Sequence, residues 1–265
     1  MKILILLALL TVNSITAAEV LYSETFDDYL GSGFQPGGGS GTLNSSLWRV
    51  SGLSDGNTHF GDHIHQGDSA RGKSSHAVRS GGLYSFDIAG NAALGWQATG
   101  SDLTPGDFYL QIHNSNQSIW NNLWLSFELW YFNDQPRSTR VDLVTYSDSN
   151  QPLRRATFNT PQAAESTPYW QFKSFNIYLE DYFIPAGGIG LFNWQFDDAT
   201  GQGARDELAI DNLQLNRSYP VVSVDESATT LMFCGIGLVL LLVTGNRSIL
   251  GQAKLTTLNI TDIYG

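Results

Sequence analysis

Cysteine is nearly missing from this chain: one residue, Cys234, stands among 265. No disulfide framework can therefore hold residues 19–220 together, and these residues must rely on a sizeable apolar core. Basic residues are also scarce, with 14 Lys and Arg against 25 Asp and Glu and a net charge of −11. Such a surface lacks the positive footprint that a phosphate backbone requires, so a nucleic acid is excluded as the expected partner. Charged residues of both signs make up only 15% of the chain. No long stretch repeats apolar residues at helical spacing, which argues against a helical bundle. Gly-x-Ser-x-Gly, His-Glu-x-x-His and phosphate-loop signatures are missing as well, removing the commonest hydrolase and nucleotide-binding motifs.

What is present is β-patterned. Short runs with a period of two recur between turn signals: EVLYSETF, LYSFDI, FYLQIH, LWLSFELWYF, RVDLVTYS, RRATFNT, WQFKSFNIYL, IGLFNWQF and ELAIDNLQL. In LWLSFELWYF, Leu123, Leu125, Phe127, Leu129 and Tyr131 share one face, and Trp124, Ser126, Glu128, Trp130 and Phe132 the other. A strand largely apolar on both faces predicts a position in the middle of a sheet covered on both sides. The Gly-rich stretch GSGFQPGGGSG reads as a flexible loop. Together these features predict an all-β fold, an antiparallel two-sheet jelly-roll sandwich, with a closed barrel as the alternative.

Two hydrophobic segments flank this region. The first, MKILILLALLTVNSITAAE, has a positive start, an apolar run and small residues at Thr16-Ala17-Ala18, the pattern of a secretory signal peptide. The second carries no charge between Glu226 and Arg247 and is nearly all apolar from Leu231 to Val243, about the length of a membrane span. The expected organisation is a signal peptide at 1–18, a sandwich domain at 19–220, a linker at 221–227, a transmembrane helix at 228–245 and a short tail at 246–265. Arg247 and Lys254 after the span would place the tail on the cytoplasmic side and the domain outside. The absence of a domain cysteine favours a bacterial envelope setting.

Several residues could carry chemistry. Pairing of the first and last strands would bring Glu24, Asp206 and Asp211 together as hard oxygen ligands for a structural calcium ion. HFGDHIHQGD gathers His59, His63 and His65 with Asp62 and Asp68, but its glycines mark a polar surface loop. Glu128 and Asp134 share a parity on one strand and its end, at the far limit of the separation a glycoside hydrolase needs. Trp120, in the loop-like NSNQSIWNN, is the tryptophan expected to be exposed and to stack on a sugar. Arg71 and Arg137 lie in polar turns, where a guanidinium ties down carbonyls or a nearby carboxylate such as Asp68 or Asp134.

GDSARGKSSHAVRSGGLYSF (67–86), ALGWQATGSDLTPGDFYLQIHNSNQ (93–117) and LSFELWYFNDQPRS (125–138) resemble a module recurrent in bacterial secreted proteins. ELAIDNLQL is similar to the closing strand of jelly-roll modules of the concanavalin and MAM-like kind. The C-terminal order of short motif, apolar span and basic residue resembles the PEP-CTERM sorting signal. Here Val224, Asp225, Glu226 and Ser227 stand where that family has Val-Pro-Glu-Pro, and Arg247 replaces its basic cluster. The resemblance implies recognition by an exosortase-like enzyme or retention as an anchor. The leading expectation is thus an exported, non-enzymatic envelope or matrix module, anchored through residues 228–245 or sorted to the surface, with exopolysaccharide or sorting machinery as partners. A carbohydrate-binding or adhesion module is the alternative, and a glycan-active hydrolase is the second.

Overall fold

A computed structural model describes residues 18–146 and 151–218 of the chain. The signal segment, the expected span 228–245 and the sorting residues Val224, Asp225, Glu226, Ser227 and Arg247 lie outside the described residues. Among those described, no helix is long and apolar enough to cross a membrane.

The described residues form fourteen strands and one 3-10 turn at Gly67–Ser69. In chain order the strands are β1 (Glu19–Glu24), β2 (Tyr29–Gln35), β3 (Gly41–Asn44), β4 (Trp48–Ser51), β5 (Lys73–Ser74), β6 (Gly82–Ile88) and β7 (Asn91–Gln97). They continue as β8 (Gly106–His113), β9 (Leu123–Phe132), β10 (Arg137–Tyr146), β11 (Pro152–Asn159), β12 (Trp170–Tyr178), β13 (Ile189–Gly201) and β14 (Glu207–Arg217). One sheet has the order β12-β9-β14-β7-β6-β5, with β1 pairing the far half of β14. The other has the order β11-β10-β13-β8-β4. From β7 onward the chain crosses from one sheet to the other at almost every connection, the alternation of a jelly roll.

Alternation in the sequence sets which side of each strand is buried. In β8 every second residue, Phe108, Leu110 and Ile112, turns inward, and in β13 Phe192, Trp194 and Phe196 do the same. From the facing sheet come Trp96 of β7 and Leu123, Leu125, Phe127 and Leu129 of β9. The layers meet through aromatic rings: Phe127 stands edge-on to Trp194 at 5.6 Å, and Trp96 stacks on Phe196 at 4.9 Å. Trp48, fully buried on β4, extends the stack at 6.0 Å from Trp194. This ring-rich interior provides the apolar burial that a chain without domain disulfides needs.

Two sequence expectations change here. The Gly-rich stretch is not a loop throughout: Tyr29–Gln35 is a strand whose Phe34 is fully buried. Its glycines are required by close backbone approach, since a Cβ on Gly33 would lie 2.0 Å from the Ile64 carbonyl oxygen and one on Gly31 2.2 Å from that of Gly72. Both residues also have positive φ. Secondly, β9 is internal, between β12 and β14, but only its inner face is fully covered. The turn arginines act as staples: Arg71 pairs with Asp68 and donates to the Gly81 carbonyl. Arg137 pairs with Asp198 rather than Asp134. Where the end strands β12 and β11 of the two sheets meet, Lys173 of β12 holds its ammonium 5.7 Å from the Phe158 ring and 5.3 Å from the Phe175 ring.

Candidate functional site

The outer faces of the two sheets differ in kind. On the five-stranded sheet many outward residues are polar and bonded to one another, and the Arg49 guanidinium stacks on the Tyr109 ring at 3.9 Å. Asp142 takes contacts from Arg140, Arg154 and Thr157, and Asp107 accepts from Ser51 and Asn193. The other sheet turns aromatic rings outward instead. Register makes the set explicit: Trp124, Trp130 and Phe132 of β9 face Tyr178, Phe172 and Trp170 of β12. The rings touch in pairs, Trp130–Phe172 at 4.5 Å, Trp124–Tyr178 at 5.1 Å and Phe132–Trp170 at 5.5 Å. Phe172 and Tyr178 are 50% and 45% exposed, so the pairs are not sealed under other chain segments.

Behind these rings lies a second, covered cluster. Tyr84, Phe86 and Ile88 of β6, Ala93 of β7 and Ala209 of β14 pack together beneath Val78, Trp130 and Trp170. Phe86 lies flat across β7 because position 95 is glycine: a Cβ there would be 2.0 Å from its ring. Trp170 rests on Phe86 at 5.0 Å and so joins the buried cluster to the exposed rings.

A polar centre divides the aromatic pairs. Trp124 and Trp130 are six residues apart on β9, about 20 Å at 3.3 Å per residue. Between them stand Ser126 and Glu128, with Ser174 and Asn176 opposite on β12. Asp211 of β14 directly opposes Glu128. Like charges in this position repel, and the fold manages the pair with Asn212. That residue sits at a bulge in β14 with φ of 51°, a left-handed conformation asparagine tolerates. Its backbone N–H donates to Asp211 Oδ1 at 2.7 Å and its side-chain amide to Glu128 Oε2 at 2.9 Å. Asn91 donates to Asp211 Oδ2 at 2.6 Å, and the Trp130 indole donates to Glu128 Oε2 at 3.2 Å. Burial, and then the Glu128 and Asp27 charges, push the Asp211 carboxyl up to about 6 despite these donors.

A second concavity, about 280 Å³, opens at the end of this sheet between Val78, Arg79, Gln97, Asp134 and Arg205. Beside it, burial pushes Glu207 up to about 8 and Asp206 up to about 7, with Asp134 repulsion adding to both. Glu207 accepts from the Val78 N–H at 2.6 Å, which fixes the loop that covers the Tyr84–Phe86 cluster.

Against this geometry the expected site residues fare unevenly. Trp120 requires correction: it is 5% exposed, its backbone paired both ways with Ile184, so it fills the core and offers no platform. NSNQSIWNN is polar around it, but the bridge to residue 184 was not readable locally. Strands β1 and β14 do pair, yet Glu24, Asp206 and Asp211 have separate surroundings: Glu24 accepts from the Phe26 N–H, Asp206 from the Gln135 N–H, and Asp211 from Asn91. Among the described residues no group of three or more His, Cys, Asp or Glu side chains is placed to hold a metal ion. His63 and His65 meet edge to face at 4.4 Å, with His65 bonded to the Ser32 carbonyl. Asp134 lines the end cavity, so it does not share a site with Glu128, whose acidic neighbour is Asp211. The missed residues are Trp170, Phe172 and Tyr178. Their signal was the period-two spacing of WQFKSFNIYL, which matches that of LWLSFELWYF once the two are recognised as adjacent strands.

No protein-family model matches the chain, and no curated protein matches it. Solved structures similar to it include CBM28, a carbohydrate-binding module described as specific for non-crystalline cellulose. The two are 14% identical over 51% of this chain and 79% of that one, with a TM-score of 0.37. The mannan-recognising module TmCBM27 is 14% identical over 52% of this chain and 80% of that one, with a TM-score of 0.33. The K3 cleaved adhesin domain of Lys-gingipain from Porphyromonas gingivalis is 12% identical over 76% of this chain and all of that one, with a TM-score of 0.38. At these levels of similarity the neighbours transfer no function to this chain.

Proposed function

We propose that this protein is a non-enzymatic carbohydrate-binding module that holds a glycan chain across the outer face of β9 and β12. The observation that carries this reading is the row of paired rings on one sheet face, with Phe172 and Tyr178 about half exposed, interrupted midway by hydrogen-bonding groups. Flat apolar ring faces suit pyranose faces, while Ser126, Glu128, Ser174 and Asn176 suit hydroxyls. The distance between the aromatic pairs favours a chain of several sugars over a single one. Hydrolysis is not part of the proposal. Asp211, opposite Glu128, is buried with both oxygens accepting bonds, which does not suit a group that must protonate a leaving oxygen. Placement at the envelope is supported by the sequence of residues 1–18 and 228–245.

The test is a glycan array followed by titration calorimetry on the best ligand, comparing the wild type with Trp130→Ala and Phe172→Ala. Each variant should weaken binding at least about tenfold, ~1.4 kcal/mol, with the melting midpoint showing that the fold persists. Trp120→Ala, in the core, should lower stability and leave the affinity of the folded protein unchanged. If no glycan binds, or if both face variants bind like the wild type, the reading fails.

A further inference from the structure

The aromatic face has a charge character that narrows its ligand. Its central carboxylates, Glu128 and Asp211, are directly opposed, and the Asp27 charge acts on the same centre. The strand residues turned to this face include no lysine or arginine: β12 contributes Trp170, Phe172, Ser174, Asn176 and Tyr178, β9 contributes Trp124 to Phe132 at alternate positions, and the β14 and β7 residues beside them are Asp211, Gln214, Asn91 and Ala93. Among the described residues both hydrogen bonds to Glu128 fall on Oε2, which leaves Oε1 for a ligand donor on the half-exposed side chain. A neutral sugar would leave this negative centre uncompensated. A cation would compensate it and would also be attracted to the flanking indole faces.

Resting on the carbohydrate reading above, we infer that the preferred ligand is a polymer of hexosamine units with free, protonated amino groups. The sugar rings stack on the Trp130–Phe172 and Trp124–Tyr178 pairs, and an ammonium between them donates to Glu128. Acetylating that nitrogen removes its charge and adds bulk at the acidic centre, and an acidic polysaccharide is repelled by it.

Calorimetry with glucosamine oligomers, N-acetylglucosamine oligomers and glucose oligomers of equal length tests this. The amino form should bind about tenfold to a hundredfold tighter than the other two, the range for a charged hydrogen bond, and should lose affinity as salt is raised. Glu128→Gln should abolish the preference while keeping residual binding of the neutral oligomer. Asp55→Asn removes an equal charge from an exposed turn that follows β4 of the other sheet and should leave the preference intact, which separates the site from the net charge of −11. If the two neutral oligomers bind as well as the amino form, or if Glu128→Gln leaves the preference unchanged, the inference is overturned. In the first case the carbohydrate reading still stands, provided binding depends on Trp130. Failure of every glycan on the array removes both.

Discussion

Among single residues, Glu207 has the clearest measurable consequence. Its carboxyl is buried beneath the Val78 loop, one oxygen accepting the Val78 N–H and the other without a donor. Burial raises it from 4.5 in the unfolded chain to about 8 in the folded one. The folded state therefore holds a proton that the unfolded state releases, and stability falls as pH rises from about 4.5 through 8. Asp206 and Asp211 act in the same direction over narrower windows, up to about 7 and about 6. Thermal melts should show a midpoint that declines from pH 5 to pH 8. Glu207→Gln, which keeps the shape without the charge, should flatten that decline and stabilise the protein at pH 8 by roughly a few kcal/mol. A decline as steep in the variant as in the wild type would refute this account of Glu207. None of this was readable beforehand, because glutamate opens ELAIDNLQL like any solvated strand end; burial by a loop more than a hundred residues away made it special.

At the scale of elements, Gly95 supports the platform from behind. Its missing side chain lets Phe86 lie across β7, Phe86 supports Trp170, and Trp170 meets Phe132 on the open face. Gly95→Ala should cost about 1–3 kcal/mol through overpacking, seen as a drop of several degrees in the melting midpoint. It should also weaken glycan binding by displacing Trp170; full affinity in the folded variant would disconnect the two layers. The nine period-two runs all proved to be strands, since alternation of large apolar and polar residues is a local property. β7 is hidden in the sequence because NAALGWQ alternates small residues, and β2 because its glycines look flexible without the backbones they approach. The aromatic face was half legible. β9 displays its second apolar side openly in the sequence, but only the register with β12 reveals rings accumulating at a surface.

At the scale of the whole fold, most strands find a partner far along the chain, although β2–β3, β5–β6–β7 and β10–β11 pair locally. β1 pairs with β14, β4 with β8, β7 with β14 and β9 with both β12 and β14. Closing such distant contacts is slow because the entropy cost comes before the stabilising contacts form. Refolding followed by tryptophan fluorescence should accordingly take milliseconds to seconds, not microseconds; a submillisecond main phase would contradict this topology. Docking of β1 on β14 also makes the last strand a shared spine, in contact with β9 along one edge and with β7 and β1 along the other.

Half of the aromatic face is displayed on β12, which among the described residues is the end strand of its sheet, and a strand with one unpaired edge invites another chain to continue the ladder. Lys173 stands on the side of β12 opposite Phe172, its ammonium against the Phe158 ring of β11 and the Phe175 ring. A second copy extending the sheet would have to bury that charge. One lysine thus lets the protein turn a sticky row of rings outward without becoming the seed of its own fibre.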